Sequence, residues 1–384
     1  MHDDVVIVGV GLVPFGRHPD EAGNHLGARA VRAALADAGL AWSDVGAAYG
    51  GSMEAGNADA MAVHLGLTGL PFTNIFNGCA TGGASLANAV AAIRSGVTDV
   101  AVAVGFDKHG RGAFNLQPAQ WGLPQWYGDT GLMLTSQTQA LKVQRYLHET
   151  GITSDALVRV AVTAFANGAI TPTAWRREAL SYEQIATSEM ISSPLRKFMY
   201  CGPADGGAAV VLCSAERARR LQAQPIRIRA VAMRTRLHGA VVGIAPALAP
   251  VQPPSPTTMA SRAAYEMAGV SPQDIDLAQL QDTESGSLII NMAENGFCEH
   301  GAQEALIRDG AFALRGRLPV NTDGGCMANG EPVGATGLRQ VYEICTQLRG
   351  RAGARQVEGQ PRLGYTHVYG APGVSCVTIL ERAA

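Results

Sequence analysis

Apolar positions in the first hundred residues come in short unbroken runs separated by glycine. Residues 5–10 form a β-branched run that ends in Gly-rich sequence, which predicts a strand buried on both faces. An Ala-rich helical pattern over 26–38 follows and stops at Gly39. Further strands are predicted at 47–49, 72–76 and 99–105, with a helix over 83–95 closed by Gly96. The texture changes near Gly110. Residues 110–200 are more polar and carry Trp121, Trp126, Tyr127, Trp175, Tyr182 and Tyr200. Helices over 132–149 and 154–166 fit an insertion that covers a site. Small apolar residues return as a strand over 205–213, and the Pro-rich stretch 246–256 reads as a linker.

The second part repeats this logic. It predicts a helix over 256–269, a strand over 275–281, helices over 286–296 and 301–309, and a Gly-rich turn after Asn321. A helix over 334–348 and strands over 362–368 and 373–381 complete it. Residues 71–96 and 319–350 share one order: strand, Asn, Gly-rich turn, Ala-containing helix, Gly. This echo suggests duplicated halves. The division drawn from it is 1–250, with an inserted loop domain at about 110–200, and 256–384.

Composition narrows the class. Glycine is abundant at 46 residues and aromatics are only 6%, which suits close helix–sheet packing in an α/β protein. A net charge of −2 gives no overall field for nucleic acid or an anionic membrane. The seven cysteines, at 79, 201, 213, 298, 326, 345 and 376, form no CxxC pair, which predicts free thiols in a reducing compartment and no zinc site. No apolar stretch reaches the ~20 residues of a membrane span. The expected location is the cytoplasm.

Four segments can carry chemistry. In 77–83, Cys79 stands at a strand-to-helix junction, where the helix dipole and backbone N–H groups favour a nucleophilic thiolate; a buried thiol in a tight turn is the other reading. In 321–337, Gly330 precedes Glu331 and Pro332, so backbone N–H groups and a carboxylate meet just before a helix. That suits anion binding or general-base work, or merely a solvated loop. Residues 364–373 are read as a turn between strands in which His367 or Tyr369 can reach a site at the strand ends, a structural His being the other reading. Gln281-Asp282-Thr283-Glu284 places acidic groups at a strand's C-terminal end, where α/β sheets bind ligands. Gly9-Val10-Gly11 continues into no dinucleotide fingerprint, and His109, His148 and His300 lack metal-ligand spacing. Cys201, before Gly202-Pro203, is a candidate reactive thiol, but its neighbourhood reads as a turn into a strand.

In this order the segments resemble the thiolase superfamily, nearest its sterol-carrier-protein-X-type branch of lipid-transfer and acetyl-CoA acetyltransferase-like proteins. Residues 77–83 are similar to the nucleophile motif, with Thr81 where most members have Ser. Gly105-Phe106-Asp107-Lys108 resembles Gly-Phe-Glu-Lys. Residues 201–209 resemble Cys-Pro-x-Asp-Gly-Ala-Ala, and 321–325 match Asn-Thr-x-Gly-Gly. Residues 366–373 align with Gln-His-Asn-Leu-Gly-x-Gly-Gly and set His367 on a His. The resemblance implies two similar halves in a five-layered α-β-α-β-α arrangement, an inserted loop domain and a homodimer. It also implies an acyl-CoA substrate with no separate cofactor, and acylation of Cys79.

The departures are specific. The family's Gly-His-Pro reads Gly330-Glu331-Pro332 here, and its His-Asp-Cys-Phe or His-Glu-Ala-Phe motif reads Gln281-Asp282-Thr283-Glu284. The second catalytic Cys has no clear counterpart; His367 and Tyr369 occupy its region. Three expectations follow. The first is a thiolase-like acyltransferase using Cys79 with Glu331, His367 and backbone N–H groups at Gly330 and Gly370. The second is a retro-aldolase using Tyr369 or Tyr365, with Asp282 nearby, beside a separate zinc-ribbon/OB-fold partner. The third is an acyl-CoA-binding scaffold subunit without turnover.

Overall fold

The computed structural model describes residues 4–110, 112, 114, 117–240 and 252–383. Most of the Pro-rich stretch 246–256 lies outside them. In chain order the strands are β1 (Val5–Gly16), β2 (Ala47–Gly51), β3 (Phe72–Asn74), β4 (Val100–Asp107) and the hairpin β5 (Met190–Ser192) and β6 (Leu195–Arg196). They continue with β7 (Asp205–Ser214), β8 (Ile226–Thr235), β9 (Leu277–Leu280), β10 (Leu363–Gly370) and β11 (Val374–Arg382).

The pairings show a duplication. In the first unit the order is β3-β2-β4-β7-β1, with β2 parallel to β3 and β4, and β7 antiparallel to β4 and β1. In the second it is β9-β10-β11-β8, with β9 parallel to β10, and β11 antiparallel to β10 and β8. Val320 bridges Ala278 in parallel where the counterpart of β3 belongs. The units join edge to edge through Val6–Arg227 and Ile7–Ile226. Counted by topology, β8 opens the second unit, whereas a division at residue 250 leaves it in the first.

Helices supply the other three of the five layers. Gly23–Ala38 packs outside the first unit on β1, β4 and β7, and Pro256–Ala268 packs outside the second on β8 and β11. Ser255 caps the latter by accepting from Thr258 N at 3.1 Å, with Pro256 at its first position. The inner helices, Thr81–Arg94 and Thr336–Leu348, lie against each other between the sheets. Their contact needs glycine: a Cβ on Gly337 would lie 2.9 Å from Gly83 N, and one on Gly82 2.8 Å from Leu338 N. Leu86, Val90 and Ile93 share a core with Leu338, Val341 and Ile344.

The insertion holds helices Thr135–Thr150 and Ser154–Ala169. It is not a loose cover. Leu157, Val160 and Phe165 share one core with Leu288, Ile289 and Met292 of the second unit, so the insertion is anchored where it meets the site.

Candidate active site

The Cys79 turn forms because β3 stops at Asn74 and Gly78 takes a φ of 57°. Thr81 closes it, its hydroxyl accepting from Asn77 N at 2.9 Å and donating to Gly78 O at 2.6 Å. The turn after β10 presses on it from the second unit. A Cβ on Gly78 would lie 2.8 Å from Ala371 O, and one on Gly370 2.0 Å from Asn77 O. The N–H of Cys79 donates to no acceptor among the described residues. Cys79 is half-buried on the wall of a cavity of about 600 Å³, beside Phe76, Phe114, Trp121, Val333 and Pro372.

Glu331 arrives from the second unit. Gly330, at φ 81°, lets the chain pass Gly202 and Trp175, where a Cβ would lie 3.0 Å from Gly202 O and 2.9 Å from the indole. Glu331 N then donates to Gly202 O at 2.9 Å. The carboxylate is 1% exposed. Gln281 Nε2 donates to its Oε1 at 2.6 Å, and the Cys201 thiol to its Oε2 at 3.4 Å. Burial pushes the Cys79 thiol well above its ordinary range, and the nearby Glu331 pushes it further. Cys201 is raised by burial and then by Glu331; Cys326 by burial, then Asp282, then Glu331. Burial and the nearby Glu331 charge thus work against the thiolate that the turn was expected to favour.

Behind this pair, Asp282 accepts from Cys326 N at 2.7 Å and Met327 N at 3.4 Å. It is fully buried beneath the short helix Gly325–Asn329 and does not reach the cavity wall described above. Burial pushes its carboxyl up to about 7, against the pull of Arg339. Arg339 pairs with Asp323, both buried. Glu284 caps Ser285–Glu294, accepting from Ser287 N at 2.7 Å.

The structure does not bring His367 or Tyr365 to Cys79. The turn is confined to 371–373, and residues 363–370 are strand, as predicted over 362–368 but reaching two residues further. Alternation along it points Val368 at the inner helices, beside Gly83 and Gly337, and its neighbours the other way. His367 Nε2 lies 3.1 Å from Thr257 Oγ1 and 3.2 Å from Ser375 Oγ, and burial lowers its pKa to about 3. An imidazole held neutral beside the outer helix cannot take the Cys79 proton. The Tyr365 hydroxyl donates to Asn295 Oδ1 at 2.6 Å and lies 3.0 Å from Ser261 Oγ, fully buried. Tyr369 is different: it is half-buried, and Cys79 and Glu294 add to the burial that raises its phenol. Lys142 Nζ stands 5.6 Å from its ring centre.

Sequence reasoning passed over Cys201, whose thiol meets Glu331, and His109. Asp107 ties the cavity wall together, accepting from Glu54 N at 2.8 Å and Gly334 N at 2.8 Å. His109 Nδ1 lies 3.1 Å from Glu54 Oε2, and its Nε2 accepts from Val333 N at 3.2 Å, which braces the Glu331 loop. The signal was the 105–108 motif, which was read only as a family marker. Among the described residues no cluster of His, Cys, Asp and Glu suits a metal ion, and no helix is long and apolar enough to cross a membrane.

A duplicated α/β protein with a cysteine and a carboxylate meeting between its halves defines a narrow class, and comparison with known proteins gives the same one. The thiolase N-terminal domain family matches residues 5–183, and the thiolase C-terminal domain-like family matches 250–382. An acetyl-CoA acetyltransferase of Methanothermobacter thermautotrophicus is 34% identical over 99% of this chain and 100% of its own. Benzoylsuccinyl-CoA thiolase subunit BbsB of Thauera aromatica is 30% identical over 95% and 94%. Bovine sterol carrier protein 2 is 29% identical over 99% of this chain and 73% of its own. A solved structure titled Ltp2-ChsH2(DUF35) aldolase superposes with a TM-score of 0.88 at 27% identity, covering 99% of this chain and 98% of that one. The chain belongs to the thiolase superfamily, in its sterol-carrier-protein-2-like branch, and is acyl-CoA acyltransferase-like.

Proposed function

We propose that the protein transfers acyl groups from CoA thioesters through an acyl-Cys79 intermediate, with Glu331 taking the place of the family's imidazole. The observation that carries this reading is Cys79 on the cavity wall, at the turn where the two halves meet, with Glu331 acting on its thiol. Cys79 S–H and an acyl-CoA give acyl-Cys79 and CoA–SH, the thiol proton passing through Glu331 to the departing CoA sulfur. The Cys79 N–H faces the tetrahedral oxyanion. In the cleavage direction the same protonated Glu331 hands its proton to the leaving carbon. In the synthetic direction the same step runs in reverse, Glu331 taking the proton from the attacking carbon as the enolate forms. Intact-mass analysis after incubation with acetyl-CoA and a bulkier aromatic acyl-CoA tests the reading. An adduct on Cys79 is expected; no adduct at any pH, with CoA esters still bound, favours the scaffold reading instead.

A second reading, retro-aldol cleavage of a side-chain acyl-CoA, has its own observation: Tyr369 beside Lys142, within electrostatic reach of Cys79. A relative that is a subunit and a neighbour titled as an aldolase with a second component support a small zinc-ribbon/OB-fold partner. Here Cys79→Ala retains turnover and Tyr369→Phe loses it. We place the protein in the cytoplasm as a homodimer, with coenzyme A entering only as part of the substrate.

A further inference from the structure

The Cys79 cavity carries a charge that acyl transfer does not use. Its wall is largely apolar, with Met53, Phe76, Phe114, Trp121, Val333 and Pro372. Asn77, Gln120 and Thr135 add neutral polar groups. Among the described residues that line it, Glu54 alone has a charged side chain. The cations Lys142, Arg145 and Arg262 line a different cavity, of about 540 Å³. Phosphates call for such cations, so the Cys79 cavity suits the acyl end of a CoA thioester and not its phosphate end.

Glu54 is fixed from behind. Its N–H donates to Asp107 Oδ1 at 2.8 Å, and Met53 N donates to the same carboxylate at 2.9 and 3.0 Å. Its Oε2 lies 3.1 Å from His109 Nδ1, on a histidine side chain with no exposed surface. The other ring nitrogen decides where the imidazole proton sits. His109 Nε2 lies 3.2 Å from Val333 N, and a backbone N–H can only donate. Nε2 is therefore the acceptor, the proton is on Nδ1, and His109 donates to Glu54 Oε2. No hydrogen bond among the described residues takes Oε1, and the side chain is 34% exposed on the cavity wall. One carboxylate oxygen is thus committed to a buried imidazole, and the other is presented to whatever fills the cavity.

A carboxylate in a cavity without a cation selects by charge and by hydrogen bonding. It repels an acyl group that ends in a carboxylate. It favours one that brings a hydroxyl, whose O–H replaces water at Oε1, while a plain alkyl end strips that water and returns nothing. Resting on the reading that Cys79 receives the acyl group, we propose that Glu54 is a specificity-determining residue. The substrate class is an acyl-CoA whose acyl chain carries a hydroxyl group, and dicarboxylic acyl groups are excluded.

The test measures binding of matched CoA esters to the full chain carrying Cys79→Ala, which has no thiol to acylate, by titration calorimetry. The probes are hexanoyl-, ω-hydroxyhexanoyl- and adipoyl-CoA, and the octanoyl, ω-hydroxyoctanoyl and suberoyl set. In at least one set the hydroxyl ester binds tightest and the carboxylate ester weakest, with a spread on the order of 100-fold in Kd. Glu54→Gln, added to the same chain, reverses the preference. His109 still donates to the amide oxygen, so the amide N–H groups face the cavity, and the carboxylate ester draws level with or overtakes the alkyl one. A purely structural role for Glu54 weakens all esters alike, and unchanged ratios in the variant overturn the proposal. So does a carboxylate ester that binds the parent chain as tightly as the alkyl ester. Should Glu54→Gln not fold, the order in the parent chain decides alone. Intact mass of the wild-type chain with the same esters separates the two readings. The expected binding order without a Cys79 adduct removes acyl-Cys79 and keeps Glu54, whereas an adduct with equal affinities does the reverse.

Discussion

Each half of the chain folds an Asn-led, Gly-rich turn ahead of an inner helix, and each sets a cysteine in that turn. The environments are opposite. Cys79 is half-buried at a cavity wall, while Cys326 is sealed, its N–H held by Asp282 and its surroundings shared with Arg339 and Asp323. The duplication therefore supplies two similar turns, and the neighbours decide which one can meet a substrate. The first is covered only by the Gly370–Ala371 turn and the insertion; the second carries a buried ionic network in the place of a cavity. Cys79→Ala should abolish the adduct and reduce transfer on the order of 10⁶-fold, to background. Cys326→Ala should keep the adduct and cost about 1 kcal/mol of stability. Equal loss of adduct in both variants, by intact mass, would erase the distinction.

The second turn is built for structure, so its largest effect should appear in unfolding. Arg339→Met removes the partner of buried Asp323 and the counter-charge of Asp282. A loss of about 3–5 kcal/mol in urea titrations is expected. A loss below 1 kcal/mol would mean the network is not holding the turn. Tyr369→Phe probes the rim of the first turn. If Cys79 carries the chemistry, the phenol contributes at most one neutral hydrogen bond, up to about 1.5 kcal/mol or roughly tenfold in kcat. A complete loss of turnover with the Cys79 adduct intact would hand the C–C chemistry to Tyr369.

Much of the frame was legible in the sequence. The β-branched run of β1 and the Gly-closed helices follow from burial and capping, and the echo of 71–96 in 319–350 matches the two inner helices. β8 was passed over although Ile226, Ile228, Ala230 and Ala232 alternate inward with polar or half-buried neighbours. The segment 364–373 was read as a turn although 362–368 was also predicted as strand; the strand reading holds, and only residues 371–373 turn. Gly364 is in-strand for packing: a Cβ there would lie 2.3 Å from Ile344. That error had a cost in the site. Once 363–370 is a strand, Val368 facing the inner helices forces His367 to face away. Cys201 was invisible for another reason: only the bridge of Pro203 to Glu331 across 128 positions brings it to the carboxylate, and spacing along the chain carries no trace of that.

The subtlest difference between the turns is electrostatic, and its sign can be worked out. Asp282 is raised to about 7 in the fold, above its ordinary carboxylate value. Between about pH 4 and 7 the native state then holds a proton that the unfolded chain has lost. Stability contributed by the neutral form is complete below that window and is lost as pH rises through it, with a slope of at most about 1.4 kcal/mol per pH unit. His367, lowered to about 3, acts in the opposite sense: between about pH 3 and 6.5 the unfolded chain binds the extra proton, so stability rises with pH. The two partly cancel, and the wild-type profile alone cannot assign either. Asp282→Asn separates them, because it keeps a carbonyl oxygen for the Cys326 N–H and removes the titration. Arg339, Asp323 and the N–H groups of Cys326 and Met327 remain around it. The stability difference between wild type and Asp282→Asn should shrink or change sign in the variant's favour from pH 4.5 to 7.5. A difference that stays constant across that range, by urea unfolding, would show that Asp282 is ionised throughout and that Arg339 outweighs its burial.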